Sequence, residues 1–373
     1  MVIGVVKELK NHEYRVGLTP DNVRIFKRHK HTVLVEFNAG AGAHFSNEEY
    51  EASGAVIVNS AKEIYEKSDM IIKVKEPLES EYDMLKEGQI LFTYLHLAAN
   101  PELAKVLKEK KICAIGYETI EDRQGYLPCL RPMSEIAGRL SIQEGAKYIE
   151  STYGGKGILL GGIPGVERGK ITIIGGGVVG TFAAKAAVGM GAMVTILDTN
   201  LNRLAYLDDI FNGSVTTLYS NEQNIEKSLL DADLVIGAVL LPGDKAPKLI
   251  KEDYVKEMKS GAVIVDIAID QGGICETSKA TSHDDPIFIK HGVVHYCVSN
   301  MPGAVPYTST IALTNVTLGY GLRIADNGTS GMKAWDLGFK KGVNFFNGEC
   351  VNESVAHALD LKYTDLDTLL INN

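Results

Sequence analysis

Residues 170–198 read KITIIGGGVVGTFAAKAAVGMGAMVTILD, an order of residue types that predicts a strand, a turn, a helix and a second strand. The turn carries Gly175, Gly177 and Gly180 in a Gly-x-Gly-x-x-Gly spacing. In such a turn the first glycine permits the sharp bend, the second lets the backbone approach a pyrophosphate, and the third lets the helix pack closely on the strand. Because the N–H groups at the start of the helix attract an anion, the stretch predicts a dinucleotide-binding site.

Asp198, which ends the second strand, favours NAD over NADP as the dinucleotide. It follows Gly180 by 18 residues, a spacing at which a carboxylate accepts hydrogen bonds from the ribose hydroxyls and repels a 2′-phosphate. No arginine occupies position 199 or 200 directly after it. Arg203, one helical turn further on, argues for the opposite preference.

Length and charge limit the possible classes of protein. At 373 residues the chain exceeds the size at which one core usually keeps growing, so we expect two domains. A net charge of -9 and the lack of a basic tract argue against a nucleic-acid partner. The apolar runs stop well short of a membrane span, and the opening residues MVIGVVKELK read as a strand rather than a signal peptide. We therefore expect a cytoplasmic protein without a membrane partner.

Five scattered cysteines and no Cys-x-x-Cys pair predict free thiols in a reducing compartment. His291, His295 and Cys297 have a spacing that allows a metal site, but the segment HGVVHYC also fits a buried strand. We favour the strand and expect no metal, because a zinc site would need a further ligand.

The first part of the chain alternates apolar runs with helical patterns. Strands are predicted at residues 2–6, 32–36, 70–74, 90–94 and 112–115, and helices at 47–53, 60–67 and 101–110. Thr19 is predicted to cap a further helix whose first residue is Pro20. This alternation predicts a largely parallel sheet with helices on both faces.

Three cation-capable side chains follow these strands. Arg15 lies in the loop after the first strand, Lys75 directly follows the run at 70–74, and His96 comes two residues after the run at 90–94. Each alone could be an ordinary solvated or packed residue. Because the carboxyl ends of parallel strands meet at one edge of a sheet, we expect the three to form a site for a small anion.

The second half continues the same pattern. Predicted strands at residues 215–219, 234–239, 262–267 and 293–298 bring the number after residue 170 to six, as in a complete dinucleotide-binding fold. Asp270 follows the run at 262–267 and is expected near the nicotinamide end of the cofactor, although a loop cap for Gly272 and Gly273 explains it equally well. Asp266, inside the run, is expected to be structural.

Two connecting segments suggest the domain boundaries. Ser134 is predicted to cap a helix that runs to about residue 153, and residues 301–306, MPGAVP, precede a threonine-rich helix. The predicted fold class is α/β, with two doubly wound Rossmann-like domains whose mostly parallel sheets are linked by long helices, and with a cleft between the domains. Residues 1–130 and 305–373 form the predicted substrate domain, and residues 131–304 form the predicted dinucleotide-binding domain.

Seven segments, spread along essentially the whole chain, resemble the family of alanine dehydrogenases and transhydrogenase α-subunits. In order they are KELKNHEYRVGLTP, VKEP, YLHLA, RPMSEIAGR, IIGGGVVG, DIAIDQGG and SNMPGAVPYTST. The resemblance to an alanine dehydrogenase implies an NAD-dependent enzyme that reversibly converts L-alanine and water to pyruvate and ammonia. It also implies a homohexamer of two-domain subunits.

The resemblance further implies roles for the candidate residues. Arg15 and Lys75 would hold the substrate carboxylate and oxygen, since an arginine fork bonds a carboxylate bidentately. His96 would be the general acid and base, because a histidine exchanges protons near neutral pH. Asp270 would orient the attacking water or the ammonia and help to move its protons.

The cofactor residues implied by the resemblance extend beyond the glycine turn. They are Ser134, Val178, Val179, Asp198, Arg203, Ser220, Val239, Leu240, Ile267, Ala268, Ile269, Asp270, Lys279, Val298, Ser299, Asn300 and Met301. The apolar members would clasp adenine or nicotinamide, although packing alone would also explain them.

Two other functions fit the same architecture. The nucleotide-binding component of a membrane transhydrogenase would need NAD and a docking partner but no amino-acid site. Another amino-acid dehydrogenase, such as a saccharopine-forming one, would act on a different substrate. The joint presence of Arg15, Lys75, His96 and Asp270 favours an alanine dehydrogenase over the transhydrogenase component.

Overall fold

The structure, a computed structural model, describes residues 1–239 and 245–371. Contacts divide the chain into two units. Unit 1 comprises Met1–Met133 and Val305–Asn373, and unit 2 comprises Ser134–Ala304. Unit 1 is therefore discontinuous in sequence, with the whole of unit 2 inserted between its two segments.

Strands and helices alternate through most of both units. The strands are β1 (Val2–Val5), β2 (Thr32–Glu36), β3 (Val56–Val58), β4 (Met70–Ile72), β5 (Ile90–Thr93), β6 (Cys113–Gly116), β7 (Lys170–Ile174), β8 (Met193–Asp198), β9 (Val215–Tyr219), β10 (Leu234–Gly237), β11 (Val263–Asp266), β12 (Ile287–Lys290), β13 (Val293–Tyr296), β14 (Val343–Phe346) and β15 (Glu349–Cys350). The helices are α1 (Pro20–Arg28), α2 (Asn47–Ala52), α3 (Ala61–Lys67), α4 (Glu79–Tyr82), α5 (Pro101–Glu109), α6 (Arg131–Tyr148), α7 (Val178–Gly189), α8 (Leu201–Phe211), α9 (Glu222–Asp231), α10 (Glu252–Glu257), α11 (Pro306–Asn327), α12 (Leu337–Lys340), α13 (Glu353–Ala358) and α14 (Leu366–Ile371).

The sheet of unit 1 has the strand order β15-β14-β6-β5-β4-β1-β2-β3. The six strands from β6 to β3 are parallel, β14 runs antiparallel to β6, and β15 runs antiparallel to β14. Within the parallel part the chain begins at β1, proceeds outward to β3, and returns to β4 on the other side of β1. The order therefore reverses between β1 and β4, where a doubly wound sheet leaves a crevice at the carboxyl ends of its strands.

The sheet of unit 2 repeats this arrangement with the order β12-β13-β11-β10-β7-β8-β9. Its strands are parallel except β12, which pairs antiparallel with β13 at one edge. Here the order reverses between β7 and β10. The glycine turn that follows β7 thus lies at the reversal point of its own sheet.

Helices cover both faces of the unit 1 sheet. Alternate residues of each strand point to opposite faces and pack against them. On one face Met70 and Ile72 join a core cluster that includes Phe26 of α1 and Leu313 of α11. On the other face Ile71 joins a cluster with residues of α3 and α5. All five cysteines are buried and free, and no helix in the described part of the chain is long and apolar enough to cross a membrane.

The α/β fold class predicted from the sequence, with two doubly wound, mostly parallel sheets, is confirmed, and so is the cap of α1, where Thr19 accepts the N–H of Asn22. Four short strands, β3, β12, β14 and β15, were not predicted. The predicted cap at Ser134 is wrong, because α6 already begins at Arg131 and Ser134 lies inside its first turn.

Candidate functional site

Three loops meet at the reversal point of the unit 1 sheet and carry the three predicted cation-capable residues. Arg15 follows β1, Lys75 follows β4 and His96 follows β5. The structure brings them together, since the charge of Arg15 acts to lower the pKa of Lys75 and that of the buried Tyr94. The ring of Tyr94 in turn lies 5.9 Å from the ring of His96.

Arg15 is buried, and its guanidinium is paired with Glu13, two residues earlier in the same loop. Its Nε donates to Glu13 Oε1 at 2.6 Å, and its Nη2 bonds the other carboxylate oxygen. Burial acts to lower the pKa of Arg15, but the hydrogen bonds and charge of Glu13 raise it on balance, so that the guanidinium stays charged.

Lys75 is half-buried at the same edge of the sheet. Its ammonium group has no hydrogen-bond or ion-pair partner among residues 1–239 and 245–371, whereas its carbonyl accepts the hydroxyl of Thr93 at 2.9 Å. Burial and the charge of Arg15 both lower the pKa of Lys75 below its ordinary value. The ammonium group is therefore available to bind a small anion.

His96 has a left-handed backbone with φ +48°, a conformation that few residues other than glycine adopt. The carboxylate of Glu118 accepts the backbone N–H groups of both Leu95 and His96, at 2.9 and 2.7 Å, and so holds this turn. The imidazole is 42% exposed, and its Nδ1 lies 3.0 Å from Oε2 of Glu76.

Glu76 is buried and bonds two cation-capable side chains. Its Oε2 bonds His96 and its Oε1 bonds the ammonium group of Lys10. Burial acts to raise the pKa of Glu76, but these two hydrogen bonds outweigh it and hold the pKa at about 2. Glu13, Glu76 and Glu118 were not among the residues predicted from the sequence. For Glu13 and Glu76 the sequence carried a signal, namely an opposite charge close by, at Arg15 in EYR and at Lys75 in KEP.

A second, fully buried group of charges anchors the loop after β4. Lys73 donates to Glu81 at 2.9 Å and lies 3.4 Å from Glu8. Glu8 accepts the N–H of Val74 at 2.6 Å, and Glu81 accepts the hydroxyl of Tyr65 at 2.9 Å. The backbone that leads to Lys75 is thereby fixed from inside the unit.

In unit 2 the glycine turn has the geometry that its spacing predicts. Gly175 has φ +102°, which requires glycine. A Cβ on Gly180 would collide with the carbonyl oxygen of Gly175, so close packing of α7 on the turn also requires glycine. Around Gly177, at the start of α7, nothing lies within 4 Å of where a Cβ would be. The turn thus leaves the open approach to backbone that a pyrophosphate needs.

The carboxylate of Asp198 accepts the backbone N–H of Gly176 at 2.7 Å and that of Asn200 at 2.8 Å. Arg203 also bonds the turn: its Nε donates to the carbonyl of Gly176, and its Nη2 donates to the hydroxyl of Thr181. Its guanidinium is therefore engaged by the turn, which weakens the argument for NADP.

A cavity of about 580 Å³ opens at the reversal point of the unit 2 sheet. Its lining includes five of the predicted cofactor residues, Gly175, Gly177, Asp198, Ser220 and Val239. Lys248, Lys251, Tyr254 and Glu222 also line it and were not predicted. Its volume is in the range of small-molecule sites.

The other predicted cofactor residues fall into separate places in unit 2. Val178 and Val179 are in the first turn of α7, and Ser134 is in α6. Lys279 is exposed, with its Nζ 4.9 Å from the centre of the Phe288 ring. Leu240 lies outside the described residues.

Two predicted segments follow β11 and β13, which are neighbours in the sheet. Ile267, Ala268, Ile269 and Asp270 form a short helical turn after β11, where Asp270 is exposed. Val298, Ser299, Asn300 and Met301 follow β13. Asp266 is buried and accepts N–H groups of Ile274 and Cys275 and the hydroxyl of Ser278, which fits its expected structural role.

The histidine segment near residue 295 forms a strand, as predicted. His295 is buried in β13, with Nδ1 donating to the carbonyl of Val293 and Nε2 accepting from Thr277. His291 bonds Glu252 instead. Among the described residues, no group of His, Cys, Asp and Glu side chains has the arrangement of a metal site.

Comparison with known proteins gives matches over nearly all of the chain. The profile described as Alanine dehydrogenase/PNT, N-terminal domain, matches residues 4–137, and that of Alanine dehydrogenase/PNT, C-terminal domain, matches residues 141–353. An alanine dehydrogenase of Methanococcus maripaludis is 56% identical over 371 residues, which is 99% of this chain and 100% of the relative. An alanine dehydrogenase of Staphylococcus saprophyticus is 54% identical with the same coverage.

Solved structures agree. A structure of an L-alanine dehydrogenase superposes with a TM-score of 0.94 at 50% identity, covering 96% of this chain and 99% of the other. A transhydrogenase from Sinorhizobium meliloti superposes with a TM-score of 0.81 at 20% identity, covering 95% and 100%, which shows a shared fold. Since the two profiles and the full-length relatives all point the same way, the chain belongs to the alanine dehydrogenase/PNT family.

Proposed function

We propose that this protein is an L-alanine dehydrogenase that interconverts L-alanine and pyruvate with NAD as the hydride carrier. Relatives more than 50% identical over the whole chain carry that name. The observation that supports it from the site itself is the charge of the Arg15, Lys75 and His96 loops. Arg15 is paired with Glu13 and Lys10 with Glu76, whereas Lys75 has no ion-pair partner in the described ranges 1–239 and 245–371. An ammonium group without an ion-pair partner suits a substrate that carries a carboxylate.

Arg15 and Lys75 would bind the substrate. Arg15 is fixed by Glu13 and presents a planar group that matches a carboxylate. Lys75 is a compact charge that can also polarise a carbonyl oxygen, and such stabilisation is strong where side chains are partly shielded from water. A dicarboxylate such as 2-oxoglutarate would bring a second negative charge beside Glu13 and Glu76, so we expect it to be a poor substrate.

His96 would move the proton. Its Nδ1 is held by Glu76, so Nε2 is the nitrogen that can give a proton to the substrate oxygen or take one from it. Asp270 is an exposed carboxylate in the turn after β11. Its proposed part is to accept protons from the water or ammonia of the reaction.

NAD would be held by the glycine turn, Asp198 and the cavity beside them. When bound, it supplies the carbon that accepts a hydride from alanine. The turn at Gly177 leaves room for the pyrophosphate, and Asp198 would accept the ribose hydroxyls. Ser220 and Val239 would line the nucleoside end.

A hexameric assembly, a cytoplasmic location and the absence of a nucleic-acid or membrane partner stay predictions. Light scattering of the purified protein tests the first, and a mass other than six subunits would contradict it.

The test is NADH formation from L-alanine at alkaline pH, followed at 340 nm, together with NADH oxidation by pyruvate, glyoxylate and 2-oxoglutarate with ammonia. We expect activity with alanine and pyruvate. NAD binding without any alanine oxidation would favour a transhydrogenase component, and preference for 2-oxoglutarate with lysine would favour a saccharopine-forming enzyme.

His96→Ala should lower turnover by about 10²- to 10⁴-fold, because general acid-base catalysis is lost. NAD affinity should stay unchanged, since the residues proposed to hold NAD are the glycine turn, Asp198 and the lining of the cavity beside them. His44→Ala, at another histidine of unit 1 with a left-handed backbone, is the matched control. Loss of NAD binding in His96→Ala would mean that the histidine is structural.

A further inference from the structure

We propose that Glu76 is a positioning residue for His96, which it holds in the tautomer with the proton on Nδ1 so that Nε2 faces the reaction. The inference rests on the proposed function, because it explains how the histidine that moves the proton is oriented. It adds a residue that does not itself touch substrate, and it adds Lys10 as the partner that fixes Glu76.

The first observation is the contact itself. Glu76 Oε2 lies 3.0 Å from Nδ1 of His96, and the glutamate side chain is 5% exposed while the imidazole is 42% exposed. A buried carboxylate with a depressed pKa is a permanent acceptor at any pH where the enzyme works. The nitrogen facing it must therefore be a donor, which leaves Nε2 of a neutral ring as an acceptor.

The second observation concerns the other oxygen of the carboxylate. Glu76 Oε1 bonds the ammonium group of Lys10, in the loop after β1. The two bonds lie on opposite oxygens, so the carboxylate is held from both sides. Lys10 and His96 are thereby linked through one buried group, and the loops after β1, β4 and β5 are tied together.

The third observation is the backbone of His96. Glu118 accepts the N–H groups of Leu95 and His96 and so fixes a left-handed turn that would otherwise be unfavourable. The backbone fixes where the imidazole starts, but a half-exposed ring can still rotate about its side-chain bonds. Glu76 is the contact that selects one orientation.

The experiment compares Glu76→Leu and Glu76→Gln with Glu79→Gln, which changes an exposed carboxylate three residues further on. For each protein we would measure kcat and KM for alanine and the Kd for NAD. Glu76→Leu should lower kcat by about 10- to 10³-fold with NAD affinity unchanged, as expected when the partner of a catalytic histidine is lost. Glu76→Gln should lose less, since its amide oxygen can still accept from Nδ1, and Glu79→Gln should match the wild type.

A second measurement reads the tautomer directly. In protein labelled with ¹⁵N-histidine, the His96 signals, assigned by their absence in His96→Gln, should show a protonated Nδ1 and an unprotonated Nε2 when the ring is neutral. Glu76→Leu should shift them to a mixture of tautomers. The wild-type spectrum decides the matter even where a variant fails to fold.

Unchanged kcat in Glu76→Leu, or a proton on Nε2 in the neutral wild-type ring, would overturn the inference. A wild type that oxidises no alanine would instead contradict the proposed function, and the spectrum would still report whether Glu76 sets the tautomer.

Discussion

Asp198 accepts the backbone N–H of Gly176 at 2.7 Å, so the carboxylate that ends β8 also fixes the turn that follows β7. The side chain of Asp198 thus links the end of β8 to the turn after β7. It shapes the glycine turn, and we propose that it also accepts hydrogen bonds from the ribose hydroxyls of NAD.

Asp198→Asn should weaken NAD binding by about 10- to 100-fold, since hydrogen bonds to a charged group are worth about 1.5–3 kcal/mol. It should also reduce the preference for NAD over NADP, because the repulsion of a 2′-phosphate is removed. Fluorescence titration with both dinucleotides measures this, and Asp209→Asn, an exposed carboxylate on α8, is the control. Unchanged NAD affinity would remove Asp198 from the site.

Gly180→Ala should abolish NAD binding or unfold unit 2, because its Cβ would collide with the carbonyl oxygen of Gly175. Gly189→Ala lies on the same helix with nothing within 4 Å of its Cβ and should change stability by less than about 1 kcal/mol. Thermal unfolding and NAD titration of the two variants test the pair. Equal behaviour would contradict the close packing of α7 on the turn.

Lys73→Met should destabilise the protein by about 3–5 kcal/mol, because it leaves Glu8 and Glu81 buried without their cation. Combining it with Glu8→Gln and Glu81→Gln should restore much of the loss. Lys62→Met, in an exposed pair 4.0 Å apart, should cost less than about 1 kcal/mol. Denaturant unfolding distinguishes these outcomes. An unchanged free energy of unfolding in Lys73→Met would mean that Lys73 does not stabilise the buried Glu8 and Glu81.

Substrate binding should weaken at alkaline pH before an ordinary lysine loses its proton. Burial and Arg15 lower the pKa of Lys75, so its charge is present at neutral pH and disappears as the pH rises through a value below 10.5. The KM for pyruvate should therefore rise in that range. In Lys75→Arg, whose guanidinium stays charged, the rise should be absent. The same pH profile in both proteins would show that another group is responsible.

The ionised Glu76 should stabilise the folded protein at neutral pH, and this stabilisation should be lost in acid. Its pKa in the folded protein is about 2, against an ordinary value of 4.5, so the folded state binds the proton less readily than the unfolded chain. The stabilisation is complete above pH 4.5 and is lost as the pH falls through about 2. Denaturant midpoints between these pH values should fall less steeply for Glu76→Gln than for the wild type. Equal slopes would contradict the depressed pKa.

The regular strands and helices were predictable because periodic runs of apolar residues and helix caps determine secondary structure locally. The strands at 32–36 and 215–219 have the predicted bounds, and the start of α1 is set by Thr19 and Pro20. The short edge strands escaped prediction: β3 has three residues and β15 has two, too few for a period to be read. Their pairing is decided by the neighbouring strand rather than by their own sequence.

For the candidate site, the sequence indicated which side chains follow the strands, but it did not indicate which side chains bond one another. Arg15, Lys75 and His96 could be placed at one sheet edge by counting, since parallel strands end together. That Glu76 faces His96 while Glu118 holds its backbone depends on side-chain directions in three loops, which no spacing specifies. Equally, only coordinates show that the Arg203 guanidinium bonds the glycine turn.

The antiparallel pairing of β14 with β6 has a consequence for synthesis. During translation the ribosome makes β6, then all of unit 2, and only afterwards the residues of β14, whose Val343 and Phe345 are fully buried in the finished protein. Because domains generally fold as units, we expect unit 2 to fold once it has emerged, while β6 in the first segment still lacks its partner β14. Chaperone binding to stalled chains should therefore peak after residue 304 has emerged and fall once residue 346 has emerged.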